Sequence, residues 1–568
     1  MKLSPITRLK KALFKAYAKN LCLAFEKQTA SCREIQDRVL LAKLRRNQDT
    51  VFGQKHNFKQ IHFSQDYFHN VPLHDYEDLE PYIDRIKRGE KNILTTAKDP
   101  IEMFALSSGT TADPKFIPVT ESFRKEYHHG SLMWAARLFY QLEDFFERGK
   151  ILQISSPAKQ DQLPSGLWCG NISGAIAEMQ KPIVKQFYAM PKEVARITPA
   201  ADRFYTMMRI ALTQRVGILI TANPSLILNL VEMVDKQRDT LISDICHGQL
   251  SIKAELTPNI KTALKPYLKP NPERAKELTE MITKRGSLLP RDYWPELVAI
   301  ACWTGGTLVN YIEQLPDYFG DIPIREIGLM ASEGRFTIPW DDAPATGILD
   351  ILSHFFEFIP EDEADHEKPK TLLAHEIEKG KRYFLVVTTS SGLYRYKMHD
   401  LVEVTDFYHG TPMVKFLSKG SRFASITGEK ISEFQIVKAI QEANHVTGKH
   451  ITWFRLFPSW DNPPYYNLMI ERNDAEKIRA VADQFVEVCE NTLQGVNIEY
   501  QSKRHSRRLG HIRLRVVENG IFSAEKEKKL KKSGSEEQYK PLYLSSDLQM
   551  AERYHFLEEF HNLAVSKS

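Results

Sequence analysis

A run of small hydroxyl residues near position 110 is the first candidate for chemistry. The run consists of Ser107, Ser108, Gly109, Thr110 and Thr111, and Lys115 follows it. Small side chains let the backbone approach a phosphate closely, and successive amides and hydroxyls can donate to its oxygens. Lys115 would add a compact positive charge. The segment lacks the GK[ST] ending of the Walker phosphate loop, and taken alone it fits a polar hairpin turn equally well.

Two carboxylates further along the chain could serve the same ligand. Glu333 lies in the tetrad ASEG, which follows the strand-like segment IREIGLM. A carboxylate at the end of a strand in an α/β sheet lies where ligands bind, and Glu333 could hold Mg²⁺ beside a triphosphate. Asp400 closes the polar segment YRYKMHD, where it could accept hydrogen bonds from both ribose hydroxyls of a nucleotide. The structural alternatives are an exposed turn glutamate at the first position and an Arg395–Asp400 ion pair at the second.

Lys540, in the segment QYKP, is the fourth candidate. A lysine on a mobile C-terminal domain can move onto a reacting phosphate and offset its developing negative charge. The competing interpretation is one more lysine in the solvated basic stretch EKEKKLKKSGSEEQYK, which we expect to be mobile.

The pattern of apolar runs predicts the elements that position these residues. IEMFAL and FIPVT, on either side of the hydroxyl run, have the length of strands. VGILITA and LVAIACW are continuous apolar runs, typical of strands covered on both faces, and helical segments alternate with them, which favours an α/β fold. The segment from Lys381 to Gly420 reads as several antiparallel strands.

The chain changes character after Gly420. Two amphipathic helices and two strand-like segments predict a small α+β domain of about 150 residues, a common domain size. We therefore predict a large N-terminal α/β domain over residues 1–418 and a small mobile C-terminal domain over residues 419–568.

Composition limits the class of protein. At 568 residues the chain is too long for a single hydrophobic core, and its formal net charge of +5 is too mild to indicate a nucleic-acid partner. Six scattered cysteines without zinc-ligand spacing argue against a structural metal site and fit a reduced, cytoplasmic compartment. No stretch is apolar and long enough to span a bilayer. We expect the basic N-terminus to form a helix that packs on the domain, with membrane contact through an amphipathic helix as the alternative.

Several collinear segments resemble one family. The chain is similar to the auxin-responsive promoter (Gretchen Hagen 3) family of acyl acid–amido synthetases, in particular its bacterial branch, within the adenylate-forming superfamily. The segments that carry the resemblance are TVFGQKHNF, VPLHDYEDLEPYIDRIKRGEKNILT, SSGTTADPKFIPVT, CWTGGTLVNYIEQLPDYFGDIPIREIGLMASEGRF, LYRYKMHDLVEV and GSEEQYKP. The resemblance implies an N-terminal domain of sheets with flanking helices and a β-barrel-like part, which binds ATP and the acid. It also implies a C-terminal domain that rotates between two half-reactions.

The same resemblance implies a role for each candidate residue. Ser107 to Thr111 would form the phosphate loop, Ser332 and Glu333 the second nucleotide motif with Glu333 near Mg²⁺, and Lys540 would be the mobile catalytic lysine. Asp400 would bind the ribose. The residues flanking the adenine would be Thr304, Gly305, Gly306, Met330 and Ala331. The hinge would lie at Lys419, Gly420 and Arg422.

The resemblance also implies the substrates, which are ATP, a small carboxylic acid and an amine, usually of an amino acid. We expect a monomer without a nucleic-acid partner. The acyl pocket is expected along residues 123–140 and 163–180, where Trp134, Trp168 and Met179 suggest an apolar or aromatic acid.

Two departures from the family pattern leave alternatives open. His399 stands where the family's third motif has glycine, and Met330-Ala331 replaces an aromatic and small residues of the plant members. The alternatives are another acyl acceptor such as coenzyme A, a nucleotide-binding scaffold without turnover, and a membrane-associated protein that works through its basic N-terminus.

Overall fold

The structure is a computed structural model, and its chain folds into two compact units. The first unit comprises residues 1–398 and 402–416, and the second comprises residues 399–401 and 417–568. The structure describes residues 5–107, 115–142, 148–155, 157–179, 186–305, 308–341, 345–364, 366–419, 423–427, 429, 431–533 and 541–560.

The helices of the first unit begin at the signals that the sequence provides. For example, Asn223 and Asn271 each precede a proline, and their side chains accept a hydrogen bond from the first turn of the helix. These helices are α1 (Pro5–Thr29), α2 (Cys32–Asn47), α3 (Val51–Lys55), α4 (Ser64–Asn70), α5 (Tyr76–Lys87), α6 (Glu121–Gln141), α7 (Ile172–Glu178), α8 (Ala200–Ala211), α9 (Pro224–Lys236), α10 (Arg238–His247), α11 (Pro258–Leu264), α12 (Pro272–Arg285), α13 (Pro290–Tyr293), α14 (Val309–Ile312) and α15 (Leu315–Phe319).

The strands up to the end of the first unit form three sheets and one short hairpin. They are β1 (Ile101–Ser107), β2 (Lys115–Thr120), β3 (Lys150–Gln153), β4 (Asp161–Gln162), β5 (Trp168–Gly170), β6 (Val216–Ile220), β7 (Ala299–Cys302), β8 (Ile324–Glu326), β9 (Met330–Ala331), β10 (Gly334–Arg335), β11 (Thr337–Ile338), β12 (Thr346–Leu349), β13 (Phe355–Pro360), β14 (Leu372–Leu373), β15 (Arg382–Thr388), β16 (Tyr396–Tyr408) and β17 (Thr411–Lys419).

Two four-stranded sheets confirm the predicted strands around the candidate residues. In the first, with strand order β2-β1-β5-β4, β1 and β2 form an antiparallel pair. In the second, the parallel sheet β3-β6-β7-β8, the apolar runs VGILITA and LVAIACW supply the two central strands. Parallel strands of this kind are covered on both faces, and β7 is buried at every position.

The third sheet has seven strands in the order β11-β12-β17-β16-β15-β13-β14. It contains the segment that we expected to be antiparallel, and β13 runs antiparallel to β15 over six residue pairs. The short hairpin of β9 and β10 lies outside these sheets in the hydrogen-bonding pattern.

The N-terminal helix packs on the first unit, as expected. Ala18, Cys22 and Phe25 on α1 are buried in a hydrophobic cluster with Trp340 and Met413. Within the described part of the chain, no helix has the length and apolar character needed to cross a membrane.

The second unit has its own hydrophobic core and a four-stranded sheet in the order β20-β21-β22-β23. Its helices are α16 (Glu433–Thr447), α17 (Arg472–Ile478), α18 (Ala482–Val496), α19 (Ile498–His505) and α20 (Ile521–Ser533). Its strands are β18 (Phe423–Ala424), β19 (Ile431–Ser432), β20 (Phe454–Ser459), β21 (Tyr465–Glu471), β22 (Arg513–Val517) and β23 (Glu558–Phe560).

One prediction for the second unit was wrong. The second of the two predicted amphipathic helices, expected over the segment AEKIRAVADQFVEVCENTLQG from residue 475, is interrupted by a short 3-10 helix, Arg479–Val481, between α17 and α18. The basic stretch from residue 525 is helical as far as Ser533, because α20 continues through it, and its mobility stays a prediction.

Candidate active site

Ser107 and Lys115 close the predicted phosphate segment at both ends. Ser107 is the last residue of β1 and pairs across the ladder with Lys115, the first residue of β2. The Lys115 ammonium lies 5.1 Å from the ring centre of Tyr76, whose hydroxyl accepts a hydrogen bond from Phe116 N at 2.9 Å. The two described ends of the segment are therefore held together by one antiparallel strand pair. The intervening Ser108, Gly109, Thr110 and Thr111 lie outside the described residues.

Ser332 and Glu333 lie in the turn between β9 and β10. The Ser332 hydroxyl donates to the carbonyl oxygen of Leu106 at 3.1 Å, so this turn meets the end of β1 beside Ser107. Glu333 is only 4% exposed, and the alternative of an exposed turn glutamate is wrong. The expectation that Glu333 ends a strand of the α/β sheet is also wrong, because the parallel sheet ends earlier, at Glu326 in β8.

A buried tyrosine and a buried arginine share the surroundings of Glu333. Burial raises the pKa of Tyr127, on α6, to about 12, and the nearby Glu333 carboxylate adds to the shift while Arg335 opposes it. Burial likewise lowers the pKa of Arg335 to about 10. Gly130, one turn further along α6, makes room for these groups, because a Cβ there would lie 2.6 Å from Asp350 Oδ2 and 2.9 Å from Arg335 Cδ.

Arg335 links the predicted adenine wall to the predicted acyl pocket. Its Nη1 donates to Met330 Sδ at 2.8 Å, and its guanidinium lies 5.8 Å from the ring centre of Trp134 on α6. Trp134 is partly buried, as are Trp168 on β5 and Met179 after α7. Trp134, in the expected acyl segment, is therefore connected to Met330 through Arg335.

Thr304 and Gly305 follow the carboxyl end of β7, where ligands of parallel sheets bind. The Thr304 backbone N–H donates to Glu326 Oε2 at 2.8 Å, and its hydroxyl donates to the same oxygen. Gly328 N donates to the other carboxylate oxygen at 2.7 Å. Burial raises the pKa of Glu326, and the bonds from Thr304 and Gly328 oppose that shift. Sequence reasoning missed Glu326, and its only signal was a lone acidic residue inside an apolar segment before a glycine.

Asp400 lies on β16 and is 4% exposed. Its carboxylate is 3.7 Å from the ammonium of Lys419, a predicted hinge residue. His399, which replaces the expected glycine, has a φ of 54°, in the left-handed region that glycine favours. The backbone before Asp400 thus keeps a glycine-like conformation despite the histidine.

The Arg395–Asp400 ion pair proposed as a structural alternative is wrong. Arg395 forms a buried ion pair with Glu357 on β13, with Nη2 and Oε1 2.7 Å apart. Arg395 also donates to Val71 O at 2.8 Å, and the Tyr394 hydroxyl donates to Leu94 O at 2.8 Å. Tyr394 and Arg395 are therefore held by partners within the first unit, and their role is structural.

Four further predicted residues fall outside the described residues, namely Gly306, Gly420, Arg422 and Lys540. Within the described ranges, no group of three or more His, Cys, Asp or Glu side chains could hold a metal ion by itself. A magnesium ion bound mainly by phosphates and water needs only one or two carboxylates, so the buried Glu333 fits that limited part.

Comparison with known proteins places this geometry in a family. The chain matches the N-terminal domain of the GH3 family over residues 22–324, its central domain over 347–419 and its C-terminal domain over 434–549. It is 26% identical over 538 residues to an indole-3-acetic acid-amido synthetase of Arabidopsis thaliana, covering 91% of this chain and 90% of the relative. It is also 26% identical over 520 residues to a jasmonoyl–L-amino acid synthetase of Nicotiana attenuata, covering 88% of each chain.

A solved structure shares the fold over nearly the whole length. The GH3.15 acyl acid amido synthetase aligns with a TM-score of 0.83 and 24% identity, over 95% of this chain and 96% of that one. The matches to the three family domains follow one another in order along the chain, and they include Ser107, Thr304 and Asp400. This chain therefore belongs to the GH3 family.

Proposed function

We propose that this chain is an ATP-dependent acyl acid–amido synthetase. In the first half-reaction, a carboxylate oxygen of the acid attacks the α-phosphate of ATP, which forms an acyl-adenylate and releases pyrophosphate. In the second, an amine attacks the acyl carbon, which forms an amide bond, releases AMP and frees a proton. The relatives are named an indole-3-acetic acid-amido synthetase and a jasmonoyl–L-amino acid synthetase. These names support an amino acid as the source of the amine.

The nucleotide is assigned to the meeting point of three segments of the first unit. The phosphates would bind between the β1–β2 hairpin, with Lys115, and the turn of Ser332 and Glu333. The adenine would lie between the segment Thr304–Gly306 and the segment Met330–Ala331. In support, Thr304 follows the carboxyl end of a parallel strand, and the buried Glu326 connects it to the backbone just before Met330.

Catalysis by these residues is positioning and electrostatic. Loop amides and lysines that face the α-phosphate stabilise charge that develops as the carboxylate attacks. Mg²⁺ would neutralise phosphate charge when bound, and Glu333 would supply one carboxylate ligand. No nucleophilic side chain is required, since the acid itself is the nucleophile.

Asp400 is assigned to the ribose and Lys540 to the reacting phosphate. The buried carboxylate of Asp400 has acceptor oxygens for two hydroxyls. We place the N-terminal substrate-binding domain at residues 1–418 and the mobile domain at 419–568, with the hinge at Lys419, Gly420 and Arg422.

The observation that carries this proposal is the hydrogen bond from Ser332 to Leu106. It brings two motifs that are 226 residues apart in sequence into contact, and both motifs carry groups suited to a triphosphate.

Exchange of labelled pyrophosphate into ATP tests the first half-reaction. We expect exchange that depends on an added carboxylic acid and that an apolar or aromatic acid supports best. Absence of exchange with every acid in a broad panel, from protein that unfolds cooperatively on heating, would contradict the proposal.

Product analysis tests the second half-reaction. With the best acid, we expect an amide to form with at least one amino acid, together with AMP. Thioester formation with coenzyme A, and no amide with any amino acid, would instead identify a different acceptor. ATP binding without exchange would identify a scaffold.

A further inference from the structure

Glu326 has a position that its neighbours in sequence do not explain. It ends β8 at the carboxyl edge of the parallel sheet and is 7% exposed. Both carboxylate oxygens are engaged, one by the backbone N–H and hydroxyl of Thr304 and the other by Gly328 N. A single buried side chain therefore ties the segment after β7 to the segment after β8.

The segment held by Glu326 leads directly into the second nucleotide motif. Gly328 has a φ of 92°, and a Cβ there would lie 2.5 Å from the carbonyl oxygen of Thr337, so the turn admits only glycine. Leu329 N donates to Thr337 Oγ1 at 2.8 Å. The backbone that presents Met330 is thus fixed by Glu326 on one side and by Thr337 on the other.

The same residue also contacts the acid side of the site. The carbonyl oxygen of Glu326 accepts a hydrogen bond from Trp134 Nε1 on α6 at 2.9 Å. The Thr304 hydroxyl, which donates to Glu326, in turn accepts from Ala345 N at 2.9 Å. Glu326 lies at the centre of a chain of hydrogen bonds that runs from α6 to the start of β12.

The groups around this side chain are all hydrogen-bond donors, and an ionised carboxylate can accept from all of them. Thr304 N–H, Thr304 O–H and Gly328 N–H all donate, and an ionised carboxylate is an acceptor at both oxygens. A glutamine would turn an NH₂ group toward one of these donors and leave that donor without a partner.

We propose that Glu326 is a positioning residue that sets the separation of the two walls of the adenine slot and thereby selects adenine nucleotides. This inference rests on the proposed function, because it takes Thr304 and Met330 as the walls of that slot. Glu326 acts through these residues and does not touch the nucleotide itself.

The test compares ligands that do and do not enter the slot. Binding of MgATP, MgGTP and magnesium tripolyphosphate is measured by calorimetry for the full-length wild type and for Glu326→Gln. Losing one hydrogen bond to a buried charged group predicts that MgATP binds about tenfold more weakly, with the preference for ATP over GTP reduced to a similar extent. Tripolyphosphate, which has no base, is expected to bind within about twofold of wild type.

A matched control separates this role from general stability. Asp244 on α10 is also a buried carboxylate, and it accepts from Ser251 N at 2.6 Å, Ser251 Oγ at 2.8 Å and Tyr205 Oη at 2.8 Å. Asp244→Asn should lower the midpoint of thermal unfolding but leave the ratio of ATP to tripolyphosphate affinity unchanged. The proposal would be overturned if Glu326→Gln bound MgATP and tripolyphosphate more weakly by the same factor, or if it bound both with wild-type affinity.

A second variant keeps the test decisive if Glu326→Gln does not fold. Thr304→Ala keeps the backbone bond to Glu326 but removes the hydroxyl, which donates to Glu326 and accepts from Ala345 N. We expect it to bind ATP about threefold more weakly and to bind tripolyphosphate with unchanged affinity. Unchanged ATP affinity in Thr304→Ala would then overturn the proposal. The two proposals can fail separately. If the wild type binds ATP but shows no acid-dependent exchange, the proposed function is contradicted. The binding data for the variants then still decide whether Glu326 positions the adenine slot.

Discussion

The Ser332 hydroxyl donates a hydrogen bond to the carbonyl oxygen of Leu106, 3.1 Å away. Leu106 directly precedes Ser107, and Ser332 directly precedes Glu333. One neutral hydrogen bond therefore sets the distance between the predicted phosphate segment and the predicted magnesium ligand.

Ser332→Ala should reduce catalysis more than it reduces stability. Losing one neutral hydrogen bond costs about 1 kcal/mol of unfolding free energy, whereas a shift of the turn by a fraction of an ångström is expected to slow acid-dependent exchange about tenfold or more. Urea unfolding and pyrophosphate exchange measure the two effects. Ser251→Ala, which loses a hydroxyl bond to Asp244, is the control and should keep full exchange. A Ser332→Ala enzyme with wild-type exchange would show that the bond is not needed.

Asp400→Ala and Lys540→Ala should affect different steps. Without the carboxylate, the ribose loses its acceptor, and we expect ATP to bind about tenfold more weakly. Without Lys540, ATP affinity should be nearly intact while single-turnover adenylation slows by roughly a hundredfold or more. Calorimetry and rapid-quench kinetics separate the two readouts. Unchanged nucleotide affinity in Asp400→Ala would remove Asp400 from the site.

Replacing His399 should reveal the cost of its left-handed backbone. At a φ of 54°, His399→Gly relieves strain but makes the unfolded chain more flexible, so its unfolding free energy should stay within about 1 kcal/mol of wild type. His399→Val, with a β-branched side chain, should be less stable than the glycine variant by about 1–2 kcal/mol. Urea unfolding of the matched pair measures this difference. Equal stability of the two variants would indicate that the backbone relaxes there.

Breaking the Arg395–Glu357 ion pair should be costly. Arg395→Met leaves a fully buried carboxylate without its cation, which is expected to destabilise the first unit by about 3–5 kcal/mol. The double variant with Glu357→Gln should recover part of that loss. Lys397→Met, which breaks a more exposed pair with Asp75, should cost at most about 1 kcal/mol. A double variant no more stable than Arg395→Met would show that the charge is not the cause.

His74 should make stability depend on pH. Burial lowers the pKa of His74 from 6.5 to about 4, and its Nδ1 donates to Tyr394 O at 2.8 Å. The native state therefore resists protonation, so stability is full above pH 6.5 and falls as pH drops toward 4, by about 3 kcal/mol over that window. Burial also lowers the pKa of His56 and of His354, so they act in the same direction.

Chemical denaturation at several pH values checks this expectation. His74→Asn retains a side-chain N–H that can donate to Tyr394 O, and it should be less stable at pH 7 but lose less stability between pH 7 and pH 5. Parallel pH profiles for the two proteins would contradict the assignment to His74.

Local patterns were sufficient for the strands that surround the site. The apolar runs at β6 and β7 predicted both the element type and a sheet that is covered on both faces, because their length and flanking residues leave few alternatives. The helix predicted after residue 475 was less well determined, since nothing in its pattern marks the break at Arg479–Val481. The sequence therefore predicts the architecture better than the continuity of its helices.

Residues whose partners are distant in sequence were not predictable in this way. Glu326 bonds to Thr304, 22 residues away, and Arg395 pairs with Glu357, 38 residues away, although Asp400 is nearer in sequence. These contacts depend on which strands are neighbours in the fold. The spacing of charged residues along the chain does not predict that arrangement. The candidate motifs were recognisable one at a time, whereas the groups that hold them together required the fold.

The packing of α1 affects how the N-terminus can be manipulated. Deleting the first 25 residues would remove Ala18, Cys22 and Phe25 from the core and uncover Trp340 and Met413. A truncated chain of this kind would present a new apolar surface that adsorbs to lipid or to other proteins by itself. In a membrane-binding assay, the truncated chain would then bind lipid through its exposed core, whether or not α1 itself contacts membranes. Substituting only Tyr17 and Leu23, which are 52% and 50% exposed, would test the outer face of α1 while the core stays covered.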